Sequence, residues 1–323
     1  MSSQTDAEIL ASTSRITRRD FTRTAATAAG LAAAGLAVST SLRARAQTAT
    51  PQLTAGEVIA RIKKNVGVPW LERTVDNLLT GTPDTPVKGI ATTMMATLDV
   101  VERCVAAGKN MIVTHETPFY LHQDHTEDIK DDATLLYKLD FCRKNDVALF
   151  HFHDHWHMHK PDGIAQGMIE QLGWQKNVTD PANPKRLTFP ATSLRDLTRQ
   201  MAATLHARTM RVLGDPNLPV RRVETSWGYC GREGGIPIFA KPDVDVLICG
   251  ETREWELVEY CQDAIRSGQK KALIVLGHVL SEQGGMILCR DWLKGFISEA
   301  PIEFIPSEEP FWNPLDPPAA SHA

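Results

Sequence analysis

Short apolar runs alternate with stretches whose apolar residues recur every three or four positions, from Thr54 to Ile297. Thr54-Ala55-Gly56-Glu57 is a capping box and predicts a helix start, with Val58, Ile59 and Ile62 on the inner side. A strand is expected over 87–95, then a helix over 97–107 closed by Gly108. A buried strand over 111–114 ends at His115-Glu116, and a helix over 132–145 feeds the next apolar run. Further helices are expected over 163–173 and 193–207, and strands over 210–213 and 220–225. A strand over 245–249 ends at Gly250-Glu251, a helix covers 254–266, and a strand over 271–276 ends at Gly277-His278. The last long helix is placed at 281–297, with Ser281 as its cap. Such alternation predicts an α/β fold, a sheet with helices on its faces.

Within this frame the segment 146–159, DVALFHFHDHWHMH, stands out. It opens as an apolar run and then places His151, His153, His155, His157 and His159 at every second position. If the strand persists, its period of two sends all five imidazoles from one face. Imidazole is the commonest protein metal ligand and the usual acid–base near neutral pH. Two other runs also end in a histidine beside or near a carboxylate: His115-Glu116, and His278 with Glu282. In α/β sheets ligands gather beyond the carboxyl ends of strands. Histidine and carboxylate donors together suit zinc, manganese, iron or cobalt. A glycine-rich stretch, Gly228, Gly231, Gly234 and Gly235, reads as a tight turn or an anion cradle and matches no nucleotide fingerprint.

Composition and charge narrow the picture. The 323 residues suffice for one large domain or two small ones. A net charge of −4 and the lack of a basic stripe argue against nucleic acid. Six scattered cysteines contain no CxxC pair, so thiolate zinc is not expected and most are read as small core residues. Residues 1–46 read as a twin-arginine export signal: Arg18-Arg19 before Phe21, an Ala/Gly/Leu run, and Ala44-Arg45-Ala46 before Gln47. This makes the twin-arginine machinery a partner and the periplasm, or another exported location, the destination. Residues 47–310 are then the metal-binding domain and 311–323 a Pro-rich tail.

Three segments also carry a resemblance. Thr114-His115-Glu116-Thr117-Pro118-Phe119, His153-Asp154-His155-Trp156-His157 and Gly277-His278-Val279-Leu280-Ser281-Glu282 resemble, in order and spacing, the motifs of the Nif-three-like dinuclear metal-centre family, also labelled GTP-cyclohydrolase-type-two-like. Cys249-Gly250-Glu251 matches that family's Thr-Gly-Asp/Glu turn. The resemblance implies a layered α/β/α fold of two similar lobes with a metal site between them, and a ring-shaped homohexamer. The chain departs from the pattern at Glu116, where the family has histidine, and at His157, where it has a bridging aspartate.

His115, Glu116, His153, His157, His278 and Glu282 are therefore the candidate metal ligands, for one or two divalent ions per chain. His155 and Glu251 are candidates for proton transfer or for support of the ligands. The expected activity is metal-dependent hydrolysis of a small-molecule substrate, with water activated by the ion. A mononuclear iron oxygenase-type enzyme and a non-catalytic metal-binding or assembly protein are the alternatives.

Overall fold

Parallel strands require crossovers, and the helices between the apolar runs supply them. The computed structural model describes residues 52–314, which belong to one compact unit; the segment read as a twin-arginine signal and the end of the Pro-rich tail lie outside the described residues. Helix α1 (Ala55–Asn65) opens on the expected capping box: the Glu57 amide donates to Thr54 Oγ1 at 3.3 Å, and the Thr54 amide to the Glu57 carboxylate at 2.9 Å. Strand β1 (Ile90–Met95), helix α2 (Leu98–Ala106), strand β2 (Met111–Glu116), helix α3 (Ala133–Lys144) and strand β3 (Ala148–His151) follow. These strands are parallel neighbours, and β9 (Ile302–Phe304) joins the other edge of β1, giving the order β3-β2-β1-β9.

The chain next forms helix α4 (Asp154–Met158), helix α5 (Gly163–Leu172), strand β4 (Arg186–Ser193), helix α6 (Leu194–Leu205) and strand β5 (Arg211–Leu213). Strand β6 (Pro219–Tyr229), helix α7 (Arg232–Phe239), strand β7 (Val246–Glu251), helix α8 (Glu259–Arg266), strand β8 (Ala272–Val275) and helix α9 (His278–Lys294) complete the second sheet and its helices. Its order is β4-β6-β7-β8-β5, with β6, β7 and β8 parallel and both edges antiparallel. The run β6-α7-β7-α8-β8 thus repeats the plan of β1-α2-β2-α3-β3, which accounts for two similar lobes.

Side-chain alternation divides the core into layers. Ile90, Met94, Met111 and Val113 of the first sheet face the same cluster as Val223, Val246, Ile248 and Ile274 of the second, with α5 and α9 in it. The opposite faces, through Ala91, Ile112 and Leu149 and through Leu247, Leu273 and Val275, pack on α2 and α3 and on α7 and α8 respectively. Each sheet is therefore the middle of an α/β/α sandwich, and the two share their inner helices. All six cysteines are free and buried in these clusters.

The inner helices meet backbone to backbone. A Cβ at Gly167 would lie 2.3 Å from the Gly284 carbonyl oxygen, and one at Gly285 would lie 2.6 Å from Ile164 Cα. Neither obstacle is the end of a flexible side chain, so α5 and α9 require glycine here.

Several expectations are corrected. The first strand begins at Ile90, three residues later than expected. Helix α9 begins at His278, so Ser281 is inside the helix; its hydroxyl donates to the His278 carbonyl and accepts from the Gly228 amide. Gly234 and Gly235 lie within α7, with Gly231 as its cap. Strands β4 and β9 were not anticipated: β4 is an edge strand interrupted by Pro190, and β9 has three residues.

Gly167→Ala is expected to destabilise the protein by about 1–3 kcal/mol through overpacking. The shift of the urea midpoint relative to wild type measures it, and an unchanged midpoint would contradict the close approach.

Candidate metal centre

The site begins where the histidine segment abandons its strand. Strand β3 ends at His151, and the chain then turns into α4. Buried Asp76 causes the turn: its carboxylate accepts from the amides of His153, Asp154 and His155 at 2.7, 2.8 and 2.9 Å. The period changes from two toward the helical 3.6, so His153 and His157 fall on one side and His155 on another. The five imidazoles do not leave from one face. His155 Nδ1 donates to Asp76 at 2.6 Å, its Nε2 accepts from the Leu71 amide at 2.9 Å, and Trp70 stacks on the ring. With both nitrogens engaged, His155 braces the turn that carries His153 and His157, the supporting alternative rather than proton transfer.

Four other imidazoles share one arrangement. The outer nitrogen Nδ1 of His153 is bonded to Asp154 at 3.1 Å, that of His157 to Asp162 at 3.2 Å, and that of His278 to Glu251 at 3.1 Å. Nδ1 of buried His115 faces the Phe152 carbonyl at 3.4 Å. These acceptors engage Nδ1 and leave Nε2 directed inward. The inner nitrogens converge on two carboxylates. Glu282 lies 3.1 Å from His278 Nε2, 3.6 Å from His115 Nε2 and 4.0 Å from His157 Nε2. Glu116 lies 3.4 Å from His278 Nε2 and 3.8 Å from His153 Nε2.

The structure thus brings together His115, Glu116, His153, His157, His278 and Glu282 from three chain segments. Among the described residues, donor atoms within 4.8 Å of one another form three overlapping triads: His115, His153 and His157; Glu116, His122 and His153; His115, Glu116 and Glu282. Glu251 stands outside them, half exposed, and orients His278.

The electrostatics fit a cation. Burial would raise the Glu282 carboxyl, but the adjacent His115 and His278 imidazoles hold it well below the usual range. Burial likewise opposes ionisation of Glu116, and the facing His122 and His278 imidazoles outweigh it. Burial pushes His153 down to about 4, which keeps its imidazole in the neutral, ligating form. His278 also resists charging through burial, yet Glu116, Glu251 and Glu282 drive its pKa strongly upward. Three carboxylates around one imidazole mark a place that calls for positive charge. His115 Nε2 is buried without a hydrogen-bond partner, an orphan that a metal would satisfy. The residues present therefore fit a metal ion.

Two glycines make room for this arrangement. Gly228, at φ 70° in a bulge of β6, leaves space that Glu282 fills: a Cβ there would lie 2.2 Å from Oε1. A Cβ at Gly250 would lie 2.1 Å from Ser281 Oγ. Sequence reasoning noted both glycines without this role. It also missed His122 and the partners Asp76, Asp154 and Asp162. Asp154 and Asp162 flank the histidine segment, a usable signal; Asp76 is remote in sequence and gives none.

An α/β protein with two parallel-cored sheets and a buried His/Glu cluster between them is the class that fold and site define. Residues 54–310 match the model of the Duf34/NIF3 (NGG1p interacting factor 3) family, and the chain belongs to that family. No curated protein matches it. Among solved structures it is similar to the protein ybgI, of unknown function, at 21% identity and TM-score 0.61, over 80% of this chain and 100% of that one. A hypothetical protein of Staphylococcus aureus matches at 17% identity and TM-score 0.61, over 81% of this chain and 99% of that one. A Bacillus cereus protein related to NIF3 matches at 14% identity and TM-score 0.60, over 83% and 99%.

His155→Ala should leave Asp76 buried without its imidazole partner and cost about 3–5 kcal/mol. Metal content measured on the folded variant should equal that of wild type; a lost ion would add His155 to the ligand set.

Proposed function

We propose that the protein is an exported, metal-dependent hydrolase acting on a small molecule. The observation that supports this most is the common orientation of four imidazoles, each held at Nδ1 by an outer acceptor with Nε2 directed at Glu116 or Glu282. Metal-ligating histidines carry this kind of support. His115, Glu116, His153, His157, His278 and Glu282 would hold one or two ions of zinc, manganese, iron or cobalt. A divalent ion in such a site lowers the pKa of water and polarises a substrate oxygen.

The chain supplies the rest. A cavity of about 790 Å³ adjoins the cluster, with His278 and Glu251 in its wall. Met210, Val279, Leu280, Phe311 and Trp312 give it an apolar side. Its size and lining suit a small organic substrate, whose body would rest there with its polar end toward His278. Glu251 reaches both the cavity and His278 Nδ1, so it can hold His278 in place and exchange protons with the cavity. The aromatic wall depends on an anchored strap: Ser307 accepts from the Met95 amide, and Glu309 accepts from the amides of Arg208 and Thr209. Export through the twin-arginine pathway follows from residues 1–46, and a homohexamer from the resemblance; both belong to this proposal.

Removal of metal with a chelator should abolish hydrolysis across a panel of esters, amides and phosphoesters. Restoring zinc, manganese, iron or cobalt singly should recover turnover with at least one. Full loading with each metal and no turnover on any substrate class would count against the hydrolase reading.

A further inference from the structure

We infer that His122 is a metal ligand, forming with Glu116 and His153 a second cation position beside the one built on His115, His157 and Glu282. This rests on the metal-centre reading above. Glu116 lies between the two imidazoles, with Oε2 at 3.9 Å from His122 Nδ1 and Oε1 at 3.8 Å from His153 Nε2. All three donor atoms lie within 4.8 Å of one another. Donors about 2.0–2.2 Å from a shared tetrahedral ion stand roughly 3.3 Å apart, so small side-chain adjustments would close the set.

Counting donors favours this division. His153 Nδ1 is taken by Asp154, so only its Nε2 is available, and it serves one ion. Assigned to the His122 position, it leaves His115, His157 and Glu282 as three donors for the other position, with His278 also 3.1 Å from Glu282. The His122 position then has three protein donors, and its Glu116 also reaches His278 beside the other position. The departures at Glu116 and His157 become one coordinated change: the carboxylate moves to 116, an imidazole takes its place at 157, and His122 adds a further nitrogen.

The loop carrying His122 is held as a ligand-bearing loop should be. Tyr120 and Asp124 adopt φ of 73° and 56°, which folds the chain back toward β2. Beneath it, buried Lys138 donates to the Pro118 carbonyl at 2.6 Å. Asp124 accepts from Thr117 Oγ1 at 2.5 Å and from buried His151 Nδ1 at 2.6 Å. His122 is thus presented by a braced turn, while its own side chain remains 41% exposed, so its loss spares the core.

The test is zinc uptake by the purified, metal-stripped full chain, measured by calorimetric titration and by elemental analysis after desalting. Wild type should take up two equivalents per chain and His122→Ala one. His125→Ala, a neighbouring exposed histidine outside the triad, should take up two. His122→Gln should repeat the loss, and melting of the metal-free variants should match wild type, which separates ligand loss from misfolding. Equal stoichiometry and affinity in wild type and both His122 variants would overturn the inference while leaving the metal centre intact. A wild type that takes up only one ion would also overturn it. A wild type that takes up none would sink the metal-centre reading itself.

Discussion

The close approach of α5 and α9 is the constraint on which the rest of the structure depends. The two helices form the layer shared by both sheets, and they meet through glycine backbones rather than side chains. The first two turns of α9 carry His278 and Glu282, so the contact that sets the helix depth also sets where these two donors stand. Gly228 and Gly250 extend the same logic into the second sheet, where a side chain at either would collide with the opening turns of α9. Small residues thus let two similar lobes bring their strand ends to one point.

What gathers at that point is electrostatically costly without compensation. Glu282 is almost fully buried, and His115 entirely so. Carboxylates removed from water must be paired or must coordinate a cation. Histidines supply part of this balance, but their inner nitrogens are spaced around the carboxylates rather than tightly bonded to them: only the His278–Glu282 contact is as short as 3.1 Å. The outer shell is better satisfied than the centre. Asp154, Asp162, Glu251 and the Phe152 carbonyl each hold an imidazole by Nδ1. Such an arrangement is stable as a binding shell for an ion and wasteful as a simple core.

Much of this was legible in the chain. Apolar runs bounded by glycine placed most strands and helices within a few residues, because buried parallel strands are continuous apolar segments. The ligand candidates were legible because donors follow strand ends. Elements of weak pattern were not: α7 contains Gly234, Gly235 and Pro237, which depress helix propensity, and β9 is too short to show a period. The histidine segment misled for a physical reason. Its alternation fits a strand as far as His151, but Asp76, almost eighty residues upstream, captures three amides and forces a helical turn. That same distant contact pairs with His155 and removes it from the site, while bringing His153 and His157 together. His122 lay hidden in a loop whose shape depends on Lys138 and Asp124, long-range partners that no local pattern reveals.

The central claim is that the inward Nε2 atoms and the Glu116 and Glu282 carboxylates hold a divalent ion. Anomalous diffraction from crystals grown with zinc, recorded on both sides of the zinc absorption edge, tests it most directly. The account predicts a peak within about 2.0–2.2 Å of His115 Nε2 and of a Glu282 oxygen. Zinc found only at surface sites, with the four imidazoles still facing Glu116 and Glu282 and no peak among them, would contradict it.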